Sequence, residues 1–118
     1  MSKTSSIPKS FGYAIQGIRS TFKKEPNFRV HILLGFFAII FAYILKFQFV
    51  EWVVLLLAIF IVLILELINT SIESIVDIVS PEKKEEAKVA KDVGAAAVMM
   101  GAILSVLIGL LLFLPKII

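Results

Sequence analysis

Three long apolar stretches dominate the chain, and charge or polar residues bound each of them. Val30 to Leu45 is apolar except for His31. Phe28 before it and Phe47 to Val50 around Lys46 lengthen this run into a predicted first membrane helix over 28–50. Trp52 to Leu65 is wholly apolar, and apolar positions continue in helical period through Leu67, Ile68, Ile72, Ile75, Val76 and Val79. This predicts a second helix over 52–79 whose last half is amphipathic. Val93 to Leu114 carries no charge and is long enough, at about 1.5 Å per residue, to cross a hydrocarbon core of about 30 Å.

The third helix has a readable start. Ser80 suits an N-cap, Pro81 suits N1, and Glu82, Glu85 and Glu86 place negative charge near the positive helix end, which predicts a helix over 81–114 that enters the membrane near Val93. Gly94, Ala95, Ala96, Ala97, Gly101 and Ala102 line its first membrane turns and allow close backbone approach to a neighbour. Ahead of the three spans, Ile7, Phe11, Ala14, Ile15, Ile18 and Phe22 recur every three or four residues, with Lys9, Gln16, Arg19 and Lys23 on other faces. That pattern suits an amphipathic helix over 5–24 lying on the membrane surface, and Pro26 then turns the chain into the first span. The predicted fold is a single all-α membrane domain over 1–118. The first apolar run lies too deep for a signal peptide, so the N-terminus is expected to stay on the mature protein.

Composition agrees with this reading and narrows the chemistry. The chain has 118 residues, 59% of them hydrophobic, and a mean hydropathy of +1.00. Soluble domains run nearer half apolar. Any active site must therefore be built on the membrane helices. There is no cysteine, and His31 is the only histidine, which argues against zinc enzymology and rules out a thiol nucleophile. The net charge of +3 reflects membrane topology rather than nucleic-acid binding. Lys3, Lys9, Arg19, Lys23, Lys24 and Arg29 precede the first span, and Lys83, Lys84, Lys88 and Lys91 lie between the second and third. Only Lys46 and Lys116 fall on the other side. The positive-inside rule then puts the N-terminus and the 80–92 connection in the cytoplasm.

Glu66, Asn69, Glu73 and Asp77 carry the unusual polarity. At 100° per residue they fall within an arc of about 80°, and at 1.5 Å per residue they make a stripe about 16 Å long. Glu66 lies nearest the hydrocarbon and Asp77 nearest the cytosol. An ionised acid at bilayer centre costs about 2.5 to 3.5 kcal/mol on the lenient insertion scale, so this face is expected to be sheltered from lipid. Between Leu65 and Leu67, Glu66 is poorly hydrated and suits a general base. Glu25 before the first span and Lys91-Asp92 at the start of the third reach the same membrane side. Magnesium needs only one or two protein carboxylates when phosphates and water complete its shell, and Glu25 and Glu73 could supply them. Lys91 could then meet phosphate as a point charge and Asp92 orient it. The alternative is that these acids merely pair with lysines and hold helices together. No GxxxxGK[ST] loop, dinucleotide GxGxxG or protein-kinase catalytic loop is present.

The stretch Glu66-Leu67-Ile68-Asn69-Thr70-Ser71-Ile72-Glu73-Ser74-Ile75-Val76-Asp77 resembles the E-x-x-N-[TS]-x-x-E-x-x-x-D signature of the prokaryotic diacylglycerol kinase family, which includes the undecaprenol kinases. Ala90-Lys91-Asp92 with Ala95-Ala96-Ala97-Val98 resembles its second motif, and Glu25-Pro26-Asn27-Phe28-Arg29 its entry to the first span. The resemblance implies a homotrimer in a bacterial inner membrane, with active sites shared between subunits, that moves the γ-phosphoryl group of ATP to a lipid hydroxyl. It implies Glu66 as catalytic base with Asn69 in support. Magnesium would sit on Glu25 and Glu73, and the nucleotide near Tyr13, Glu25, Glu73, Asp77, Glu82, Lys83, Lys84, Lys91 and Asp92. Arg29, His31 and Glu66 would face the lipid. Two departures bear on substrate. His31 stands where the enterobacterial members carry a carboxylate, and Ser6 where they carry Arg. The Asn27-Phe28-Arg29-Val30-His31 stretch and the ending Ile108 to Lys116 look more like the undecaprenol kinase branch, so undecaprenol is the expected acceptor and diacylglycerol the alternative. His31 could equally be a helix-end residue bonded to lipid or a neighbour. A rival of another class is a small oligomeric proton- or cation-coupled transporter, because intramembrane acids also mark ion pathways.

Overall fold

The computed structural model of the chain describes residues 6–118. Lys3, counted above among the cytoplasmic charges, and Ser5, at the predicted start of the first helix, lie outside the described residues. Among those described, the chain forms four helices: α1 (Ile7–Lys24), α2 (Pro26–Ile44), α3 (Phe49–Val79) and α4 (Glu85–Ile117). The last three are long and apolar enough to cross a membrane.

Each helix boundary has a local cause. Ser6 caps α1, its Oγ accepting from the Lys9 N–H at 3.4 Å. The α1 helix stops at Lys24 because Pro26 restricts the residue before it, and Glu25 is extended at φ −111° and ψ 105°. Pro26 then occupies the first turn of α2, where its missing N–H costs nothing. Arg29 secures this corner by donating from Nη1 to the carbonyls of Phe22 at 2.6 Å and Lys23 at 3.1 Å, the negative end of α1.

The turn between α2 and α3 shortens the first span relative to the 28–50 prediction. Lys46 adopts a left-handed backbone at φ 57°. The Phe47 N–H reaches the Ala42 carbonyl at 3.0 Å while the Lys46 N–H reaches Tyr43 at 3.2 Å, a Schellman closure with lysine where glycine is usual. Phe47 folds back into an apolar cluster with Ala42 and Leu55, edge-on to Trp52 and tilted against Phe113. Phe49 and Val50 therefore open α3 rather than close α2, and α3 starts three residues before the predicted Trp52. Gln48 and Glu51 form a reciprocal capping box there. Lys116, near the end of α4, pairs with Glu51 at 3.0 Å and stands 5.7 Å from the Phe47 ring centre. The two lysines predicted to share the non-cytoplasmic side thus do lie at the same end of the bundle.

The start of α4 also differs from the 81–114 prediction. Ser80 is the C-cap of α3, its N–H bonded to Val76 and its hydroxyl donating to the Glu82 carbonyl at 3.1 Å. Having no N–H, Pro81 breaks the ladder, and residues 80–84 form a connection before α4 begins at Glu85. Glu82 is consequently outside the helix, whereas Glu85 and Glu86 do lie in its first turn. At the other end α4 runs past Pro115 to Ile117, where only one backbone bond is forfeited.

Most of the core contact is between α3 and α4. Gly94 and Gly101 are buried against it, and a methyl group on either would collide with the side-chain end of Asn69 or of Leu65. Ser105 adds an interhelical bond, donating from Oγ to the Ala58 carbonyl at 2.8 Å. Ala95, Ala96 and Ala97, expected to join this contact, point outward and are exposed. Steps of 100° carry Ala95 and Ala96 off the face that Gly94 and Gly101, seven residues apart, hold toward α3, and Ala97 lies at the edge of that face.

The left-handed Lys46 makes a direct prediction. Lys46→Gly should stabilise the detergent-solubilised protein by about 1 kcal/mol, read as a higher midpoint in thermal unfolding, because glycine removes the β-carbon penalty there. An unchanged or lower midpoint would contradict that account of the turn.

Candidate active site along the polar face of the long helix

The length of α3 puts its polar stripe at a boundary. Its 31 residues extend about 46 Å, some 16 Å more than a hydrocarbon core of about 30 Å. If the apolar start spans the core, Glu66 lies just inside the boundary and the later members outside it. Burial follows the same order. Glu66 is 3% exposed, Asn69 and Glu73 are half-buried, and Asp77 is exposed.

Glu66 is the least satisfied group. Its Oε1 has no hydrogen-bond partner among the described residues, and the same holds for Asn69 Oδ1. A buried acceptor without a partner is costly, so such a group in a folded protein points to a functional role. The nearest ionisable nitrogen is His31 Nε2 on α2, 3.7 Å from Glu66 Oε1. Thr70 stiffens the segment by donating from Oγ1 to the Glu66 carbonyl at 2.9 Å. Asn69 sits against buried Gly94, and its Nδ2 donates to Glu73 Oε1 at 3.5 Å. Glu73 lies two turns further along the same helix, and Glu25 stands at the α1–α2 corner as the N-cap residue of α2.

The aqueous end of the stripe opens onto a cavity of about 380 Å³ between the end of α3, the 80–84 connection and the start of α4. Asp77, Glu82, Lys83, Lys84, Lys91 and Asp92, six of the residues predicted near a nucleotide, all line it. Lys91 Nζ rests on Asp77 Oδ1 at 2.5 Å, and Lys88 Nζ on Asp92 Oδ2 at 2.6 Å. Both pairs are substantially exposed and contribute little stability. They hold cations at the cavity wall in a form that an incoming polyphosphate can displace. Lys88 is the residue that sequence reasoning missed as a site member. Its four-residue spacing from Lys84 and from Asp92 was the available signal.

The remaining predicted residues are placed less directly. Tyr13 is exposed on α1, outside this cavity. Arg29 has Nη1 engaged by the α1 carbonyls. Glu25 and Glu73 offer two carboxylates, and no group of three or more acidic, histidine or cysteine side chains with metal-binding geometry occurs among the described residues.

Comparison with known proteins agrees with this geometry. The family model described as prokaryotic diacylglycerol kinase matches residues 12–113. The undecaprenol kinase of Bacillus subtilis is 40% identical over 108 residues, which cover 92% of this chain and 88% of that protein. A diacylglycerol kinase of Synechocystis is 42% identical over 107 residues, covering 90% of this chain and 61% of that longer protein. The diacylglycerol kinase of Escherichia coli K12 is 33% identical over 101 residues, covering 86% of this chain and 83% of its own length. The stripe and the second motif both fall within the matched span, and the chain belongs to the prokaryotic diacylglycerol kinase family.

Proposed function

We propose that this lipid kinase transfers the γ-phosphoryl group of magnesium-bound ATP to the hydroxyl of undecaprenol, giving undecaprenyl phosphate and ADP. The observation that carries the proposal is Glu66: a buried carboxylate with an unpaired oxygen, at the apolar end of a stripe whose other end reaches a lysine-lined cavity. A lipid alcohol arrives from the membrane and a nucleotide from water, and the stripe connects the two approaches. Glu66 accepts the hydroxyl proton as the lipid oxygen attacks phosphorus. Asn69, wedged between Gly94 and Glu73, keeps the stripe in register. Glu25 and Glu73 would hold the magnesium, which neutralises phosphate charge when bound. Lys83, Lys84, Lys88 and Lys91 would meet phosphate oxygens, with Asp77, Glu82 and Asp92 holding the lysines in place.

Undecaprenol is favoured over diacylglycerol by the Asn27 to His31 stretch and by the likeness to the B. subtilis undecaprenol kinase. The diacylglycerol kinases among the relatives make diacylglycerol the competing acceptor. Transport of protons or cations gives no role to a lysine-lined cavity, and family membership favours phosphoryl transfer. We further propose a homotrimer in the bacterial inner membrane with the N-terminus in the cytoplasm. One subunit leaves Ile7, Phe11, Ile15, Ile18 and Phe22 of α1 exposed, which suits α1 lying on the bilayer surface. Most of each spanning helix is also uncovered, which suits neighbouring subunits that shelter the stripe and complete the site.

The test is phosphoryl transfer from labelled ATP by purified protein in mixed micelles with magnesium and either lipid. Faster labelling of undecaprenol is expected, faster labelling of diacylglycerol would reverse the substrate assignment, and no labelling of either by folded protein would overturn the proposal. Glu66→Gln should lower kcat by about 10²-fold or more with little change in the KM for ATP. Glu73→Gln should instead raise the magnesium and ATP concentrations needed for half-maximal rate, and the opposite pattern would exchange the two roles. Gly94→Ala should reduce turnover by turning Asn69 away from Glu73, without lowering the thermal midpoint, since alanine gains about 1 kcal/mol of helix propensity over glycine. Wild-type turnover in that variant would remove Asn69 from the site.

A further inference from the structure

The geometry points to His31 as a positioning and proton-relay residue that acts through Glu66, taking from the carboxyl group the proton that Glu66 removes from the lipid. This rests on Glu66 being the base in the proposed kinase reaction. A base that accepts a proton in a buried site must lose it before the next turnover, and among the described residues His31 is the basic group within 4 Å of Glu66. The Glu66 side chain is 4% exposed, and the other carboxylates of its stripe, Glu73 and Asp77, are themselves acids. His31 Nε2, 3.7 Å away across the α2–α3 contact, is the basic nitrogen within reach, and its side chain is 21% exposed. The gap exceeds a hydrogen bond by less than 1 Å, which is usual for catalytic contacts before substrate binds.

The groups around the imidazole support a relay over a fixed ion pair. From α3 it faces Glu66, with Glu73 two turns further along the stripe. The α1–α2 corner carries Glu25, and Arg29 on the same helix is drawn away onto the α1 carbonyls. The α4 side of the adjoining cavity contributes Ala102, Ser105, Val106, Gly109 and Phe113, none of which titrates. The imidazole is thus the one group on these walls able to change charge as Glu66 passes a proton on. That cavity, of about 180 Å³, is lined mostly by apolar side chains.

The lipid O–H bond breaks and its proton goes to Glu66, the lipid oxygen bonds to the γ-phosphorus, and the bond from that phosphorus to the β-phosphate oxygen breaks to release ADP with the electron pair. The Glu66 carboxyl group then gives the proton to Nε2 of neutral His31, the imidazolium releases its Nδ1 proton to water at the partly exposed edge, and proton exchange with that water returns the ring to the Nδ1–H tautomer with Nε2 free to accept again. Only neutral imidazole can accept, so turnover falls on the acid side as His31 becomes protonated in the resting enzyme.

The experiment compares wild type, His31→Ala and His31→Gln as full-length protein in mixed micelles with undecaprenol, magnesium and ATP, measuring kcat, both KM values and the pH dependence of kcat. Gln retains hydrogen-bonding reach to Glu66 but cannot carry a proton. Both variants should lose about 10-fold or more in kcat with the KM for ATP unchanged, and the acid limb should move. Free imidazole, which the cavity beside position 31 can admit, should restore turnover to His31→Ala in a concentration-dependent way. Full activity in His31→Gln with an unaltered pH profile would overturn the relay, as would a His31→Ala effect confined to the lipid KM. Loss of activity without imidazole rescue in a variant with wild-type thermal stability would also overturn it. If wild type itself transfers no phosphoryl group, it is the kinase reading that fails, so the two failures are distinguishable.

Discussion

The structure depends on a mismatch of lengths: α3 is about half as long again as the hydrocarbon is thick. Its apolar first part satisfies the membrane, and the surplus projects toward the side where the basic residues gather. A helix that crosses this boundary carries its side chains from a medium that excludes charge into one that welcomes it. Polar groups on a single face of the surplus are therefore graded in hydration without further design. Glu66, Asn69, Glu73 and Asp77 occupy that face, and burial falls from Glu66 through half-buried Asn69 and Glu73 to exposed Asp77. The buried carboxylate survives because α4 closes over the same face, with Gly94 and Gly101 letting the two backbones approach. Packing and chemistry thus share one contact.

The two ends of the bundle solve different problems. At the end that carries Lys46 and Lys116, the Schellman turn at Lys46, the Gln48–Glu51 capping box and the Lys116–Glu51 pair close the helix ends around Phe47, Trp52 and Phe113. Backbone groups near a bilayer need such closure, since water is scarce. At the opposite end, beside the 80–84 connection, the ion pairs are exposed. Lys88 and Lys91 touch their acids directly but face solvent, where such pairing is weak. One end is closed by capped and buried groups, and the other carries solvent-facing ion pairs.

Particular residues show why some features were readable in the chain and others were not. The stripe follows from spacing alone, because 100° per residue makes 66, 69, 73 and 77 neighbours whatever surrounds them. The corner at Pro26 was equally legible, since proline acts on its own backbone and on the residue before it. Ser80 and Pro81 misled because the same pair can begin one helix or end another, and only the bond from Ser80 N–H to Val76 decides which. Lys46 misled because hydropathy treats it as a brief interruption, whereas its left-handed backbone ends the helix. The small residues of α4 were recognisable as packing residues, but which of them pack depended on where α3 lies. Tyr13 and Arg29 were placed by resemblance, and their positions depend on how the α1–α2 corner folds.

By itself, the sequence determined the number of spans, the side on which the charges collect and the alignment of four polar residues on one helix, all consequences of local periodicity and of the cost of charge in hydrocarbon. The tertiary structure decided which groups meet. His31 and Glu66 are separated by 35 positions and lie on different helices, yet their side chains approach to 3.7 Å. Asp77 and Lys91 come together because the 80–84 connection folds α4 back along α3. Such pairs carry no periodic signal along the chain, since their distance is set by the angle and register at which whole helices pack.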